Sequence, residues 1–358
     1  MRFEFLSSTP PSPTEGSGTW VAIDGVLRGL QRLGHAARLR PITTRTGFHT
    51  FDRWRYNRAV VSDPPDADVV IGVDLDGYRW ASRRPPGVGY AVMLKGIIAD
   101  ELRNEGGLVR ALLTVQARWE RVNVRLAERV IVPSRYSAGV AHEVYDVPRE
   151  RLAVVPEPID LAEWRRRFAE APRRGSRPPT VLCVARMYPR KRLDVLLRAG
   201  ARLRGRIPGV RVRIVGDGPE SARLRALSVG LGLEETVTFL GEISRSALAV
   251  EYVGADCFCL PTVQEGFGLV FAEAMAAGLP IVACRTAAVP EVVEDGRTGL
   301  LVSPNDPEEL ARAMERVLAN AEVRAELGAA GRRRVEDFDL DRVAARLLET
   351  LPSTRGRP

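Results

Sequence analysis

The stretch PTVQEGFGLVFAEAMAAGLP, residues 261–280, constrains the fold more than any other. It lies between two short apolar runs, ADCFCL and IVAC, each of a length and composition that predicts a buried strand. A turn through Pro261, Thr262, Glu265 and Gly266 opens into a helical run from about Gly268 to Ala277, which Gly278 stops and Pro280 keeps from continuing. Strand, glycine loop, helix, strand is one α/β unit, with a helix N-terminus at the carboxyl end of a strand. Ligands bind at that end of a parallel sheet, and the free N–H groups of a helix start attract phosphate. Two carboxylates bracket the unit, Glu265 in the loop and Glu273 in the helix. A carboxylate beside a phosphate site is suited to accepting hydrogen bonds from hydroxyls. The local reading is a site for a phosphorylated, hydroxyl-rich ligand.

The same layout recurs along the chain. RFEFLS (2–7) reads as the first strand, followed by a Pro, Gly and Ser-rich loop with Gly16-Ser17-Gly18 and an amphipathic helix from Val21 to Leu33. DVVIGVDLDGY (68–78) is a buried strand ending in Asp74-Leu75-Asp76, and GYAVML leads to Lys95-Gly96. A helical region, 97–128, is expected to break near Gly106-Gly107. In the second half, PTVLCVA, VRVRIVG, TVTFLG and GLLV are strands, each followed by a turn and a helix. Repeated β–α units predict doubly wound parallel sheets. The polar, basic, Pro-rich run 165–179 is the expected linker. This reading sets a first domain at 1–165, a linker at 166–178, a second domain at 179–337, and a last helix with its tail at 338–358.

EGFGLVFAEAMAAGLPIVA resembles the E-x7-E segment of the retaining glycosyltransferases of GT-B family four. The resemblance covers the second half nearly end to end and the first half more loosely. It implies an α/β, GT-B architecture: two Rossmann-like doubly wound domains facing a cleft, with the C-terminal helix crossing back to the first domain. It further implies retaining transfer of a sugar from a nucleoside-diphosphate sugar, UDP- or GDP-linked, to a hydroxyl of a sugar, lipid or small-molecule acceptor, by a hexosyltransferase without cofactor or metal. In this frame Arg186 and Lys191 correspond to the pair that binds the donor pyrophosphate. Glu273 matches the glutamate on the ribose hydroxyls, and Glu265 the one near the donor sugar. The amides of Gly266, Phe267, Gly268, Leu269 and Val270 face sugar and phosphate. Gly16 and Gly18 close on the donor phosphate, Gly216 and Gly218 line the site, and Glu242 lies near the base. Two departures stand out. Lys95 occupies the place where many relatives carry a first-domain histidine, and Glu157-Pro158 replaces a common Asn-Gly turn.

Composition narrows the alternatives. The chain has 358 residues, 45% apolar and 27% charged, enough for two domains. No apolar run reaches the roughly 18 residues of a membrane span, and the start has too short an apolar segment for a signal peptide. A cytoplasmic protein is expected, with peripheral membrane contact left open by the net charge of +8. The cysteines Cys183, Cys257, Cys259 and Cys284 sit in apolar runs, as buried thiols do. Asp74 and Asp76 form a D-x-D, the metal motif of another glycosyltransferase fold, but no ligand set completes it. The aromatics and arginines of 45–58 suggest an acceptor platform. No nucleic-acid motif is present. A nicotinamide dehydrogenase is disfavoured because no G-x-G-x-x-G follows the first strand. Two readings stay beside the transferase: a nucleotide-sugar-binding module without turnover, and a sugar-nucleotide epimerase, which would need acid/base histidines from His35, His49 and His142. Only two of the 53 basic residues are lysines, Lys95 and Lys191. In a chain that uses arginine for generic cations, both are expected where a compact point charge matters.

Overall fold

The structure is a computed structural model that describes residues 1–12, 17–104, 106–172 and 177–351. It divides into two compact units, Met1–Pro158 with Asp339–Pro358, and Ile159–Phe338. Each is built on one six-stranded sheet, and every strand pair is parallel.

In the first unit the strands are β1 (Arg2–Ser7), β2 (Ala36–Pro41), β3 (Val69–Val73), β4 (Gly89–Met93), β5 (Arg129–Val132) and β6 (Leu152–Val154), in the order β2-β1-β3-β4-β5-β6. Central strands such as VVIGV and GYAVM are buried along their whole length. A parallel sheet covered on both faces selects continuous apolar runs rather than alternation. Alternate residues still serve different faces. Phe3, Phe5, Ile71, Ala91 and Met93 pack with Ile23 and Leu30, whereas Leu6, Val70, Val92 and Val130 pack with Val124 and Tyr145. The helix Leu340–Thr350 adds Val343, Ala344 and Leu347 to the first of these layers and lies on the helix Ser17–Arg32. Gly29 makes that approach feasible, since a Cβ there would stand 2.6 Å from the Leu340 carbonyl oxygen.

The second unit has β7 (Thr180–Val184), β8 (Arg211–Val215), β9 (Val237–Gly241), β10 (Cys257–Leu260), β11 (Ile281–Cys284) and β12 (Gly299–Val302), ordered β12-β11-β10-β7-β8-β9. One core runs through it, with all four cysteines buried as free thiols.

Two expectations need correction. The run taken as a linker is not the join. Leu161–Glu170 is a helix of the second unit, capped by Asp160, whose carboxylate accepts from the Glu163 N–H at 3.0 Å. Trp164 is buried in it, stacked on Phe168 and edge-on to Tyr252 at 5.6 Å. Its exposed arginines disguise an apolar stripe at helical spacing, and the units divide at Pro158/Ile159 and Phe338/Asp339. The first helix also starts four residues earlier than expected, at Ser17, so Gly18 lies in its first turn and not in a loop. Gly16 falls outside the described residues.

Candidate active site

In the second sheet the chain winds outward from β7 through β8 to β9, then returns to β10 on the other side of β7. The connections after β7 and β10 therefore leave in opposite directions, and a crevice opens at the carboxyl ends of these neighbours. The loop after β7 carries a 3-10 turn, Pro189–Lys191, and the loop after β10 leads to the helix Leu269–Ala277. The loops are stitched together across this crevice. The Val263 N–H donates to the Arg190 carbonyl at 2.9 Å, and the buried Thr262 hydroxyl reaches the Arg190 and Gln264 carbonyls at 3.2 and 3.1 Å. This stitching brings the Lys191 ammonium onto Glu265 Oε1, with side chains 13% and 9% exposed. Burial pushes the ammonium below the usual lysine value, and the adjacent Glu265 carboxylate opposes that shift.

Arg186 lies at the start of the same loop, half-buried, with its guanidinium 5.7 Å from the Tyr188 ring centroid. Arg190 stands at the same distance from that ring. The β8 loop presses against this backbone. A Cβ on Gly216, which has φ +113°, would sit 2.2 Å from the Ala185 carbonyl oxygen, and one on Gly218 would sit 2.8 Å from the Met187 nitrogen. Both glycines are thus required by close packing of two loops. Glu242 is exposed in the turn after β9.

Gly268 turns the β10 loop into its helix at φ +91°, and no side chain caps that helix. Its first-turn amides are the orphan donors of a helix start. Leu269 and Val270 pack partly on the core, and the Phe267 ring is buried edge-on to Phe338 at 5.0 Å, so these three offer backbone rather than side chain. Gly266 follows Glu265 in the same loop. One turn into the helix, Glu273 accepts at Oε2 from the buried Tyr252 hydroxyl at 2.9 Å. Burial pushes its carboxyl up to about 7, against the Tyr252 hydrogen bond and the charge of Arg245. Tyr252 was not singled out from sequence, because it sits in no motif and acts through a partner 21 residues away. Thr262 was read only as a turn residue, and its partner Arg190 lies on another loop.

The first unit arranges its charges differently. Its sheet reverses between β1 and β3. There the Asp76 carboxylate, 3% exposed, accepts from the Ser8 N–H at 2.6 Å, the Ser8 hydroxyl at 2.7 Å and the Asn57 amide at 2.9 Å. Asp74, in left-handed backbone at φ +53°, accepts from the Lys95 N–H at 2.7 Å. Burial pushes the Asp74 carboxyl up to about 6, and the Lys95 N–H opposes that. The D-x-D aspartates thus hold loops together. Among the described residues no three His, Cys, Asp or Glu side chains gather to hold a metal ion. The Lys95 ammonium lies 2.6 Å from Glu157 Oε2, in a pair only 5% and 8% exposed. Glu157, seen in the sequence only as a departure, is therefore the partner of Lys95. In the 45–58 region Phe51 stacks on Trp54, and the guanidiniums of Arg58 and Arg79 stand 5.8 and 5.4 Å from the Trp54 ring.

Comparison with known proteins bears on this geometry. Residues 165–334 match the family model described as glycosyl transferases group 1. The GDP-mannose-dependent alpha-(1-6)-phosphatidylinositol monomannoside mannosyltransferase of Mycolicibacterium smegmatis is 35% identical over 227 residues, covering 61% of this chain and 58% of that protein. The D-inositol 3-phosphate glycosyltransferase of Saccharomonospora viridis is 36% identical, covering 62% of this chain and 55% of its own length. The chain thus spans little more than half the length of these curated relatives. Among solved structures, sucrose-phosphate synthase from Thermosynechococcus elongatus superposes with a TM-score of 0.81 at 22% identity, covering 97% of both chains. WaaG, a glycosyltransferase involved in lipopolysaccharide biosynthesis, gives 0.75 at 17% identity, with 98% of this chain covered and 100% of that one. At such identities the likeness is one of fold, and the fold is GT-B. The stretch 165–334, which holds Lys191, Glu265 and Glu273, is thus similar to the group 1 glycosyltransferases.

Proposed function

We propose that this chain transfers a hexosyl group from a nucleoside-diphosphate sugar to a hydroxyl of a sugar or lipid acceptor, with retention at the anomeric carbon and without a metal ion. The observation that carries the reading is the Lys191–Glu265 pair at the β7/β10 crevice, ahead of an uncapped helix start. A diphosphate at that edge would give Lys191 a stronger anionic partner than one carboxylate. It would meet Arg186 and the first-turn amides at the same edge. Glu265, released from the ammonium, would accept hydrogen bonds from the sugar hydroxyls. Glu273, oriented by Tyr252, would accept from the ribose.

When the bond between the anomeric carbon and the leaving phosphate oxygen breaks, negative charge grows on the diphosphate. Arg186 and Lys191 would stabilise that charge where it develops, and such a fixed donor is worth about a hundred- to a thousandfold in rate. The acceptor hydroxyl would enter on the face the diphosphate leaves, passing its proton to a leaving phosphate oxygen. No enzyme nucleophile is needed in this scheme, and the protein supplies position and charge. Relatives named GDP-mannose-dependent support a GDP-linked donor, and a neighbouring fold was solved with UDP and glucose.

The test is release of nucleoside diphosphate from GDP- and UDP-hexoses, with and without polyol acceptors and in excess EDTA. Release that survives chelation and rises with acceptor supports the reading. Thermal-shift binding of the nucleotide with no release under any condition overturns it in favour of a binding module.

A further inference from the structure

The helix Gly107–Leu126 is built inside out. The residues it buries include Gln116, Glu120 and Asn123. Each is hydrogen-bonded there: Gln116 by Thr50 and Arg53, Glu120 at Oε2 by the Ile98 N–H and the Tyr145 hydroxyl, with Oε1 left without a partner, and Asn123 by Tyr90 and the Asp74 and Asp76 carbonyls. Its outward surface carries Leu108, Leu112, Val115 and Val122, at i, i+4, i+7 and i+14 and so along one stripe. Leu108 is 75% exposed. Of the eleven exposed large hydrophobics among the described residues, five lie on this one helix. Two more, Phe48 and Phe51, lie at the start of the helix His49–Ser62. The Gln116–Thr50 hydrogen bond, 2.8 Å, pins that start against the middle of the inside-out helix.

The exposed charges of this helix are of one sign, and Arg118 and Arg125 flank the stripe. Arg110, Arg118, Arg121 and Arg125 are exposed on the same helix. Its single acid, Glu120, is fully buried. Asp52, the acid in the first turn of the His49–Ser62 helix, is also buried and holds the Thr46 and Gly47 N–H groups. The exposed Asp146 lies 3.7 Å from Arg125. A surface helix of an ordinary globular domain turns its apolar stripe inward. One that turns it outward, with arginines alongside and no exposed acid of its own, has the composition of a helix lying in a lipid–water interface. The arginine stems extend apolar contact while their heads reach phosphate.

We propose that this face, the stripe Leu108–Val122 with Phe48 and Phe51, docks the protein on an anionic lipid surface. The helix lies along the interface over roughly 30 Å, its aliphatic side chains in the acyl boundary and its arginines on lipid phosphates. The inference does not depend on the transfer reaction.

The test is co-sedimentation of the full chain with phosphatidylcholine vesicles, with and without about a third phosphatidylglycerol. Wild-type protein is expected to pellet with the anionic vesicles, less so at high salt, and to stay in solution with the neutral ones. Leu108→Glu/Leu112→Glu and Arg118→Glu/Arg125→Glu should each lower the apparent affinity at least about tenfold. Both should keep the wild-type melting temperature, since the changed side chains are exposed. Binding that neither variant alters overturns the assignment to this face. A dimer in vesicle-free solution that Leu108→Glu/Leu112→Glu dissociates also overturns it, because the face is then covered by a second copy.

Discussion

Both sheets reverse direction once, and each reversal is bridged by a loop carboxylate, but the two bridges differ in kind. Between β1 and β3 the Asp76 carboxylate is surrounded by neutral donors, two from Ser8 and one from Asn57. Every donor is a neutral group on a backbone or short side chain, and an incoming ligand would have to break a complete set. Between β7 and β10 the Glu265 carboxylate faces a single flexible ammonium. A desolvated ion pair is held by a small difference between large terms, so a better anion can displace it. The first unit has a lysine–glutamate pair too, but Lys95 and Glu157 follow β4 and β6, away from the reversal. Similar topology therefore supplies an edge closed by neutral donors in one unit and by an ion pair in the other.

Four experiments break or sharpen this contrast. The largest effect is expected from Lys95→Ala. It strands Glu157 without its cation and should destabilise the protein by about 3–5 kcal/mol, read as a lowered denaturation midpoint. If stability is unchanged while turnover collapses, Lys95 belongs to the chemistry and not to a structural pair. Next, Lys191→Ala should lower kcat by about 10²–10³, and Lys191→Arg should lose nearly as much, because a planar fork cannot take the place of a compact ammonium. Wild-type kinetics from Lys191→Arg would remove the argument from lysine identity.

Asp76→Ala comes third. It orphans the Ser8 N–H and the Asn57 amide at a cost of roughly 1–3 kcal/mol, while nucleoside diphosphate affinity stays within twofold or so of wild type. A large loss of affinity would show that the first edge takes part in donor binding. The smallest effect concerns Glu273. Its carboxyl is raised in the folded state to about 7, so the folded protein holds a proton that the unfolded chain releases near pH 4.5. That contribution is present below the unfolded value and is lost as pH rises through about 7. Stability without nucleotide should fall by roughly 1–3 kcal/mol over that window, whereas nucleotide affinity should rise as the carboxylate forms. Glu273→Gln should flatten both trends. A stability profile identical to wild type would place the titration elsewhere.

The strands and turns were legible because their signals are local. Runs such as CFCL and IVAC can only be buried strands, and Gly268 and Gly278 punctuate a helix at positive φ. The helix Leu161–Glu170 was misread because five of its ten residues are Arg or Glu, Glu163, Arg165, Arg166, Arg167 and Glu170, and they outweigh Trp164 and Phe168 by eye. The start of the first helix was misplaced because glycines read as loop. Glu265 and Glu273 were singled out through resemblance, whereas Tyr252 and Glu157 carry no local signal.

By itself, then, the sequence determined the two parallel sheets, the glycine turns at their carboxyl ends and the positions of both lysines. Only the tertiary structure decided what each charge faces. Lys95 finds Glu157 across 62 residues, Lys191 finds Glu265 across 74, and Glu273 is oriented by a tyrosine 21 residues away. Secondary structure follows from interactions within a few residues, but a buried charge takes its partner from strand order, and strand order is settled only when the sheet closes.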